Sequence, residues 1–401
     1  MEHGRIFAPL RSADYRRLWF GQGISVIGDK IDQIALGILV YQVTGSGLQM
    51  GIMLAISMLP AALFGMVAGA YVDRWDHRRT MIAADVARAA LVLSVPFAVD
   101  VGLWLVYAIA LAVATVSLFF EPAKLALMPE LVGSKRLMAA NSLDSATVSA
   151  AELAGLAFAG GLVAALGYRA AFFIDAATYL VSAVFIASIR HRAAFRQVGV
   201  ADWRHVLGEA RAGLRYVTSH GVLRHLLPIY GVAAAGVAAA ATVLYVLALD
   251  TFDGGASGLA GLDAAITVGL LVGSLAVGRT RPTGASRTML LGLFSFAALF
   301  SLSAIAPSIL WLVPIFFATG IANMFFYVPA AVIVQTEATP DMRGRALAAK
   351  QVLTRSLSVI GFVGAGALAE HVSVTVTIVV ISATVGAAAL VGWSRPGLRN
   401  A

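Results

Sequence analysis

Asp29-Lys30-Ile31-Asp32 stands in the middle of an apolar run that extends from about Leu18 to Val43. Roughly 20 apolar residues suffice to cross a bilayer, so the run is long enough to span one. Each charge at its centre costs about 2.5–3.5 kcal/mol on an insertion scale, and intramembrane charges therefore need partners or a task. At about 100° per residue, Gln22, Ser25, Asp29, Asp32 and Gln33 fall on one stripe of a helix, with Lys30 about a quarter-turn away. A one-sided polar stripe at that depth looks at protein or water. It predicts either a buried ion pair with Lys30 or a neighbouring helix, or the wall of a substrate or ion pathway.

Composition agrees with a membrane chain. Of 401 residues, 60% are apolar and 12% charged, whereas a soluble domain carries about 25% charged residues. The mean hydropathy is +0.86. No cysteine is present, so disulfides and thiolate metal sites are excluded, and no metal site or cofactor is expected. Residues Met1 to Arg17 hold four arginines and read as a cytoplasmic tail.

Twelve apolar runs follow one another, at about 18–43, 47–72, 80–99, 102–128, 138–166, 169–189, 224–249, 257–278, 287–306, 309–335, 346–369 and 372–393. Alternate loops differ in charge. One set carries Arg74, Arg78, Arg79, Lys135, Arg136, Arg190, Arg192, Arg196, Arg204, Arg211, Arg215, Arg224, Arg279, Arg281, Arg287, Arg343 and Arg345, whereas the other carries Arg169 alone. The positive-inside rule places the basic set, and with it both termini, in the cytoplasm. Topology thus accounts for the formal net charge of +8, and no nucleic-acid partner is expected.

The longest loop falls after the sixth run and divides the chain into residues 1–190, a linker at 191–223, and residues 224–401. Within the linker, Trp203, Val206, Leu207, Ala210, Leu214 and Val217 recur at helical spacing, which predicts an amphipathic helix on the inner membrane surface. The halves also resemble each other. Phe119-Phe120-Glu121-Pro122-Ala123 in run four is echoed by Phe325-Phe326-Tyr327-Val328-Pro329-Ala330 in run ten. Six helices return the chain to its starting side, so such repeats are parallel. The expected fold is an all-α membrane protein of twelve transmembrane helices in two six-helix, pseudo-symmetric halves.

Gly69-Ala70-Tyr71-Val72-Asp73-Arg74-Trp75-Asp76-His77-Arg78-Arg79 lies between runs two and three. It resembles the loop signature of the major facilitator superfamily, Gly-x-x-x-Asp-Arg followed by a basic cluster. Similarity to the drug and macrolide efflux branch, which includes the enterobactin exporters, covers essentially the whole chain. Leu18-Trp19-Phe20-Gly21-Gln22, Gly28-Asp29, Val40-Tyr41-Gln42-Val43-Thr44-Gly45-Ser46, Ala84-Asp85-Val86-Ala87-Arg88, Pro129-Glu130-Leu131-Val132 and Arg343-Gly344-Arg345 carry it. The arginine that many proton antiporters hold in the fourth helix is absent. Run five has Gly155, Gly160, Gly161 and Gly167, like the antiporter glycine motif, without its proline.

The resemblance implies a secondary active transporter with the major facilitator fold, working by alternating access in the cell membrane. It implies a cavity walled by runs one, four, seven and ten, and a conformational latch at Gly69, Asp73, Arg74, Arg78, Arg79, Asp85, Arg88, Arg343 and Arg345. The residues themselves suggest which groups carry protons and which line the cavity, and the resemblance adds the export direction and the kinds of cargo. Carboxylates can bind and release protons in a cavity of changing wetness, and Asp29, Asp32, Glu121 and Glu152 are the candidates. Gln22, Ser25, Gln33, Phe120, Asn323, Phe326 and Tyr327 are candidates for lining the cavity. Lys124 and Asp144 are expected to snorkel or to be paired, Asp175 and Asp263 to lie near the outer face at the interface with water, and Lys350 and Arg355 to balance acids across the interface between the halves. The expected partners are an amphipathic small molecule, protons and lipid, around a monomer, with export against inward proton flow. A siderophore or other metabolite is the alternative cargo, and a facilitator or scaffold without proton coupling a further one. No His-Glu-x-x-His, Gly-x-Gly-Asp or Gly-x-x-x-x-Gly-Lys-Ser/Thr occurs, so an enzyme or ATP-driven pump is not expected.

Overall fold

A computed structural model describes residues 7–72, 74–133, 136–190, 203–278, 284–339, 342–395 and 398. Helix α1 spans Ala13–Thr44, α2 Gly47–Val72, α3 His77–Val101, α4 Leu103–Val132, α5 Leu137–Leu166 and α6 Tyr168–Ala187. They are followed by α7 at Trp203–Ser219, α8 at Leu223–Val246, α9 at Gly255–Val277 and α10 at Ala285–Ser301. The last three are α11 at Ile309–Glu337, α12 at Arg343–His371 and α13 at Val374–Trp393. The described residues contain no strand. Each of the twelve apolar runs is one helix, and α7 is the helix expected in the linker.

Eleven of these helices are long and apolar enough to cross a membrane by length and composition. The twelfth run is α1, whose 32 residues exceed the needed length but include Asp29, Lys30 and Asp32. Positive-φ glycines punctuate the chain where turns are tight: Gly133 at φ 72° ends α4, and Gly167 at φ 77° separates α5 from α6. Asp76 accepts the Arg79 N–H at 2.9 Å and caps α3. Prolines 122 and 129 in α4 and 314 and 329 in α11 sit inside helices, which membrane helices tolerate where neighbours satisfy the freed carbonyls.

Packing divides the chain into two compact units, Met1–Leu39 with Phe64–Trp203, and Val40–Leu63 with Arg204–Ala401. The end of α1 and the start of α2 therefore pack with the second unit, a grouping that covalent order does not suggest.

In the first unit, α1 is wedged between α5 and α6. The Tyr15 hydroxyl donates to the Ala140 carbonyl at 3.0 Å and the Trp19 indole to Thr147 Oγ1 at 2.7 Å, which fastens α1 to α5. Gly155 of α5 meets the Ile27 carbonyl, where a Cβ would lie at 2.9 Å. On the other flank, a Cβ at Gly28 would overlap Thr178 Oγ1 and Asp175 Oδ1 of α6. Below these contacts an apolar cluster joins Tyr15, Leu18, Met81, Phe120, Leu127 and Leu143.

In the second unit, α8 packs on α12 and α13, while α9 crosses α11 in backbone contact. A Cβ at Gly269 would overlap the Phe317 carbonyl, and one at Gly273 would stand 2.8 Å from that of Ile321. Gly292 of α10 meets the Phe325 backbone in the same way, at 2.6 Å. Gly269→Val is expected to destabilise the fold by about 3 kcal/mol, the upper part of the range for overpacking, because backbone cannot give way. Gly261→Val, with nothing within 4 Å of its Cβ, is the control in the same helix. Equal melting temperatures of the two purified variants would contradict this account of the crossing.

The linker helix packs through one side. Val217 is buried, the Thr339 N–H donates to the Tyr216 hydroxyl at 3.1 Å, and Gly213 lies against the Arg345 carbonyl. Leu214 is half-exposed. The helix is thus fixed to the turn between α11 and α12.

Candidate functional site

The polar stripe of α1 meets a second polar stripe on α6. Tyr179 donates a short hydrogen bond through its hydroxyl to Asp29 Oδ1. Thr178 donates to Asp175 Oδ1 at 3.1 Å, while Asp175 Oδ2 is buried with no hydrogen-bond partner among the described residues. Gln22 donates to Ser182 Oγ at 3.2 Å. The glycine at 28 makes this possible: any side chain there would push α6 away from Asp29.

A cation enters from α3. Arg88 pairs with Asp85, three residues before it on the same helix face. Its guanidinium also lies 4.3 Å from the Tyr179 ring centroid and 4.4 Å from that of Phe120. Asp85, Arg88, Tyr179 and Asp29 therefore form one continuous chain of contacts across three helices. Neither Asp29 nor Asp32 forms an ion pair with Lys30 among the described residues; the Lys30 ammonium donates to Gln33 Oε1 at 2.9 Å. Asp29 is held by the Tyr179 hydroxyl.

The other candidates divide. Glu152 is half-buried one turn before Gly155, on the side of α5 that meets α1. Glu121 is 58% exposed and pairs at 3.1 Å with Lys124, which also holds Asp144 at 3.1 Å. That network between α4 and α5 is separate from the Asp29 contacts, and of the two alternatives, snorkelling or pairing, the structure shows Lys124 paired with Asp144. Ser25 and Phe120 are buried, and Gln33 is exposed. Asn323, Phe326 and Tyr327 belong to the second unit. There Phe326 packs on Tyr230 with ring centroids 5.0 Å apart, and Tyr327 lies 6.3 Å from the same ring.

One expectation is corrected. Asp175 does not lie at the interface with water: it is 0% exposed, seven residues or about 10 Å inside α6. Lys350 and Arg355 pair with no acid among the described residues; Arg355 donates to the Ala61 carbonyl at 3.1 Å, and Lys350 faces aromatic rings. The sequence held a signal for Asp175 that went unread. Asp175, Thr178, Tyr179 and Ser182 stand at i, i+3, i+4 and i+7 in an otherwise apolar helix, a polar stripe of the kind recognised in α1.

At the expected latch, Asp73 lies outside the described residues, as do Lys135, Arg192, Arg196, Arg279 and Arg281. Gly69 is the fourth residue from the end of α2, and Arg343 opens α12. Arg78 donates from Nε to the Ile186 carbonyl at 3.1 Å and from Nη2 to that of Ala187. It thereby binds carbonyls at the C-terminus of α6, where a cation also meets the negative end of the helix dipole. Arg79 pairs with Asp76 at 3.5 Å, Arg345 donates to Met342 Sδ at 3.6 Å, and Trp75 packs on Phe119. Arg74 and Arg79 also line a cavity of about 610 Å³ with Trp75, Thr80, Val116 and Phe119.

Apolar helices that gather carboxylates, an arginine and tyrosines inside their spans suit a multi-pass membrane transporter. The chain belongs to the transmembrane secretion effector family of that superfamily, whose family model matches residues 5–397. It is 27% identical over 377 residues to the uncharacterized MFS-type transporter YfiS of Bacillus subtilis strain 168, covering 90% of this chain and 87% of that one. To the multidrug efflux pump Tap of Mycolicibacterium fortuitum it is 28% identical over 391 residues, covering 93% of each. A shorter match of 33% over 123 residues, 30% of each chain, links it to macrolide efflux protein A of Streptococcus pyogenes. Its fold is similar to that of the crystal structure of the nucleoside transporter NupG, with a TM-score of 0.73 and 14% identity over 94% of this chain and 97% of that one.

Proposed function

We propose that the chain exports amphipathic, drug-like small molecules across the cell membrane by alternating access, in exchange for protons. The observation that carries the reading is Asp29, a half-buried carboxylate bonded to Tyr179 and in no ion pair among the described residues. A carboxylate so placed costs less to desolvate when protonated than when ionised, so a change in wetness loads or unloads a proton. Asp32 and Asp175 lie close enough on the facing stripes to titrate with it as a group. Relatives that are a macrolide efflux protein and a multidrug efflux pump support export. Phe119, partly exposed beside Trp75, suits lipophilic cargo, and acidic groups suit a cation. A siderophore or other acidic metabolite is the second reading, favoured by Lys350, which pairs with no acid of its own unit among the described residues.

The test is efflux of chemically varied compounds into inside-out vesicles. Proton-driven export predicts accumulation that collapses when the gradient is dissipated. Accumulation indifferent to the gradient would refute the coupling, and no accumulation of any compound would refute export.

Orientation is tested separately. Native cysteine is absent, so single cysteines report without background. With both termini cytoplasmic, Gly199→Cys and Thr283→Cys should label only from the cytoplasm, and Gly254→Cys only from outside. Labelling of Gly199→Cys from outside would invert the proposed topology.

A further inference from the structure

Lys350 is 7% exposed in α12, and its ammonium stands 4.1 Å from the Tyr230 ring centroid and 5.1 Å from that of Tyr327. No carboxylate pairs with it among the described residues. The other buried cations of the spans differ: Arg88 is paired with Asp85, and Lys124 with Glu121 and Asp144. Aromatic faces attract a cation but do not replace the anion that a buried ammonium loses with its water.

The internal repeat shows what is missing. Helices α4, α5 and α6 begin at residues 103, 137 and 168, and α11, α12 and α13 begin at 309, 343 and 374, each 206 residues later. In that register Phe119-Phe120 falls on Phe325-Phe326, and Asp144 falls on Lys350. The two partners of the Asp144 network change with it: Lys124 falls on Ala330 and Glu121 on Tyr327. The first half closes its charge network internally. The second half reverses the charge at the key position and puts a methyl and a phenol where the partners stood. Tyr327, 49% exposed, leaves one side of the cage open, whereas Tyr230 and Ala330 are buried.

We propose that Lys350, with Tyr230 and Tyr327, receives an anionic oxygen group, a carboxylate in the first instance, carried by the amphipathic molecule that the protein binds. The tyrosine rings would take the flat apolar part beside that group, and the Tyr327 side is the way in. The assignment rests on the transporter reading of the chain and narrows its cargo to molecules with an acidic end, zwitterions included.

Binding to the purified full-length protein tests it with two dyes that share one ring system, rhodamine 110 with a free carboxylate and rhodamine 123 with its methyl ester. Lys350→Met is expected to weaken rhodamine 110 by about tenfold or more and rhodamine 123 by less than about twofold, the difference of one lost charge contact. Lys350→Arg should hold rhodamine 110 near the wild-type affinity. Ala330→Asp supplies an internal counter-charge in reversed polarity to the Lys124–Asp144 pair, and should weaken rhodamine 110 selectively with Lys350 intact. If Lys350→Met does not fold, the selective loss is read from Ala330→Asp. Equal effects on both dyes in folded variants, no effect on either, or a wild-type protein that binds neither dye would overturn the assignment. Because binding is read, not accumulation, a failure of proton-driven export in vesicles leaves this result separate.

Discussion

Asp29→Asn is expected to fold, to bind cargo and to lose concentrative export, falling to the level of wild-type protein in a collapsed gradient. Asparagine retains an Oδ1 that can accept the Tyr179 hydroxyl, so the contact between α1 and α6 survives. What it lacks is a second protonation state. A role confined to structure predicts the opposite pattern, since loss of a charge would strand its partner in low dielectric and lower yield and melting temperature. Proton release on substrate binding by purified protein separates the two. Asp32→Asn and Glu152→Gln belong in the same series because neighbouring carboxylates share macroscopic titrations. Unchanged proton release in all three folded variants would remove the carboxylates from the coupling mechanism.

Arg88→Leu is expected to have the largest effect on stability. Asp85 is wholly buried, and its guanidinium partner also covers the rings of Phe120 and Tyr179. Breaking such a pair by removing one member costs about 3–5 kcal/mol, because the remaining charge has neither water nor counter-ion. The single variant should be recovered in low yield with a depressed melting temperature. Asp85→Leu combined with Arg88→Leu removes both charges and should restore most of the loss, as apolar replacements of buried pairs often do. The double variant should still export poorly, because Tyr179 would hold Asp29 without a cation behind it. Full export by the double variant would make the Asp85–Arg88 pair a purely structural element.

The helices were legible because each apolar run is set off by glycine, proline or charge, and the polar stripe of α1 stood out against its apolar background. Its partner stripe on α6 was hidden by position: Asp175 falls early in its run, where a carboxylate is ordinarily a surface residue. The spacing of Asp85 and Arg88 at i, i+3 permits their local pair. Spacing along one helix could not show that the same guanidinium reaches Phe120 on α4 and Tyr179 on α6. The Lys350 cage draws on α8, α11 and α12, and only tertiary packing sets such distances. Its unusual character could have been seen in the sequence once the register of the halves was known, since the swap of Asp144 for Lys350 accompanies that of Lys124 for Ala330. The helix starts supplied that register more sharply than the prolines, whose spacing drifts.

The glycine crossing of α9 and α11 has a mechanical consequence. Two rods pressed together through a layer of side chains can slide and roll as rotamers change, but Gly269, Gly273 and Gly320 leave no such compliant layer. The pair resists bending as one thicker beam. Gly292 clamps the same beam from α10 at Phe325, one residue before Phe326 and two before Tyr327. The aromatic wall beside Lys350 is therefore mounted on the stiffest part of its unit. Whatever moves during a transport cycle, Tyr327 should move with α9, α10 and α11 as one piece.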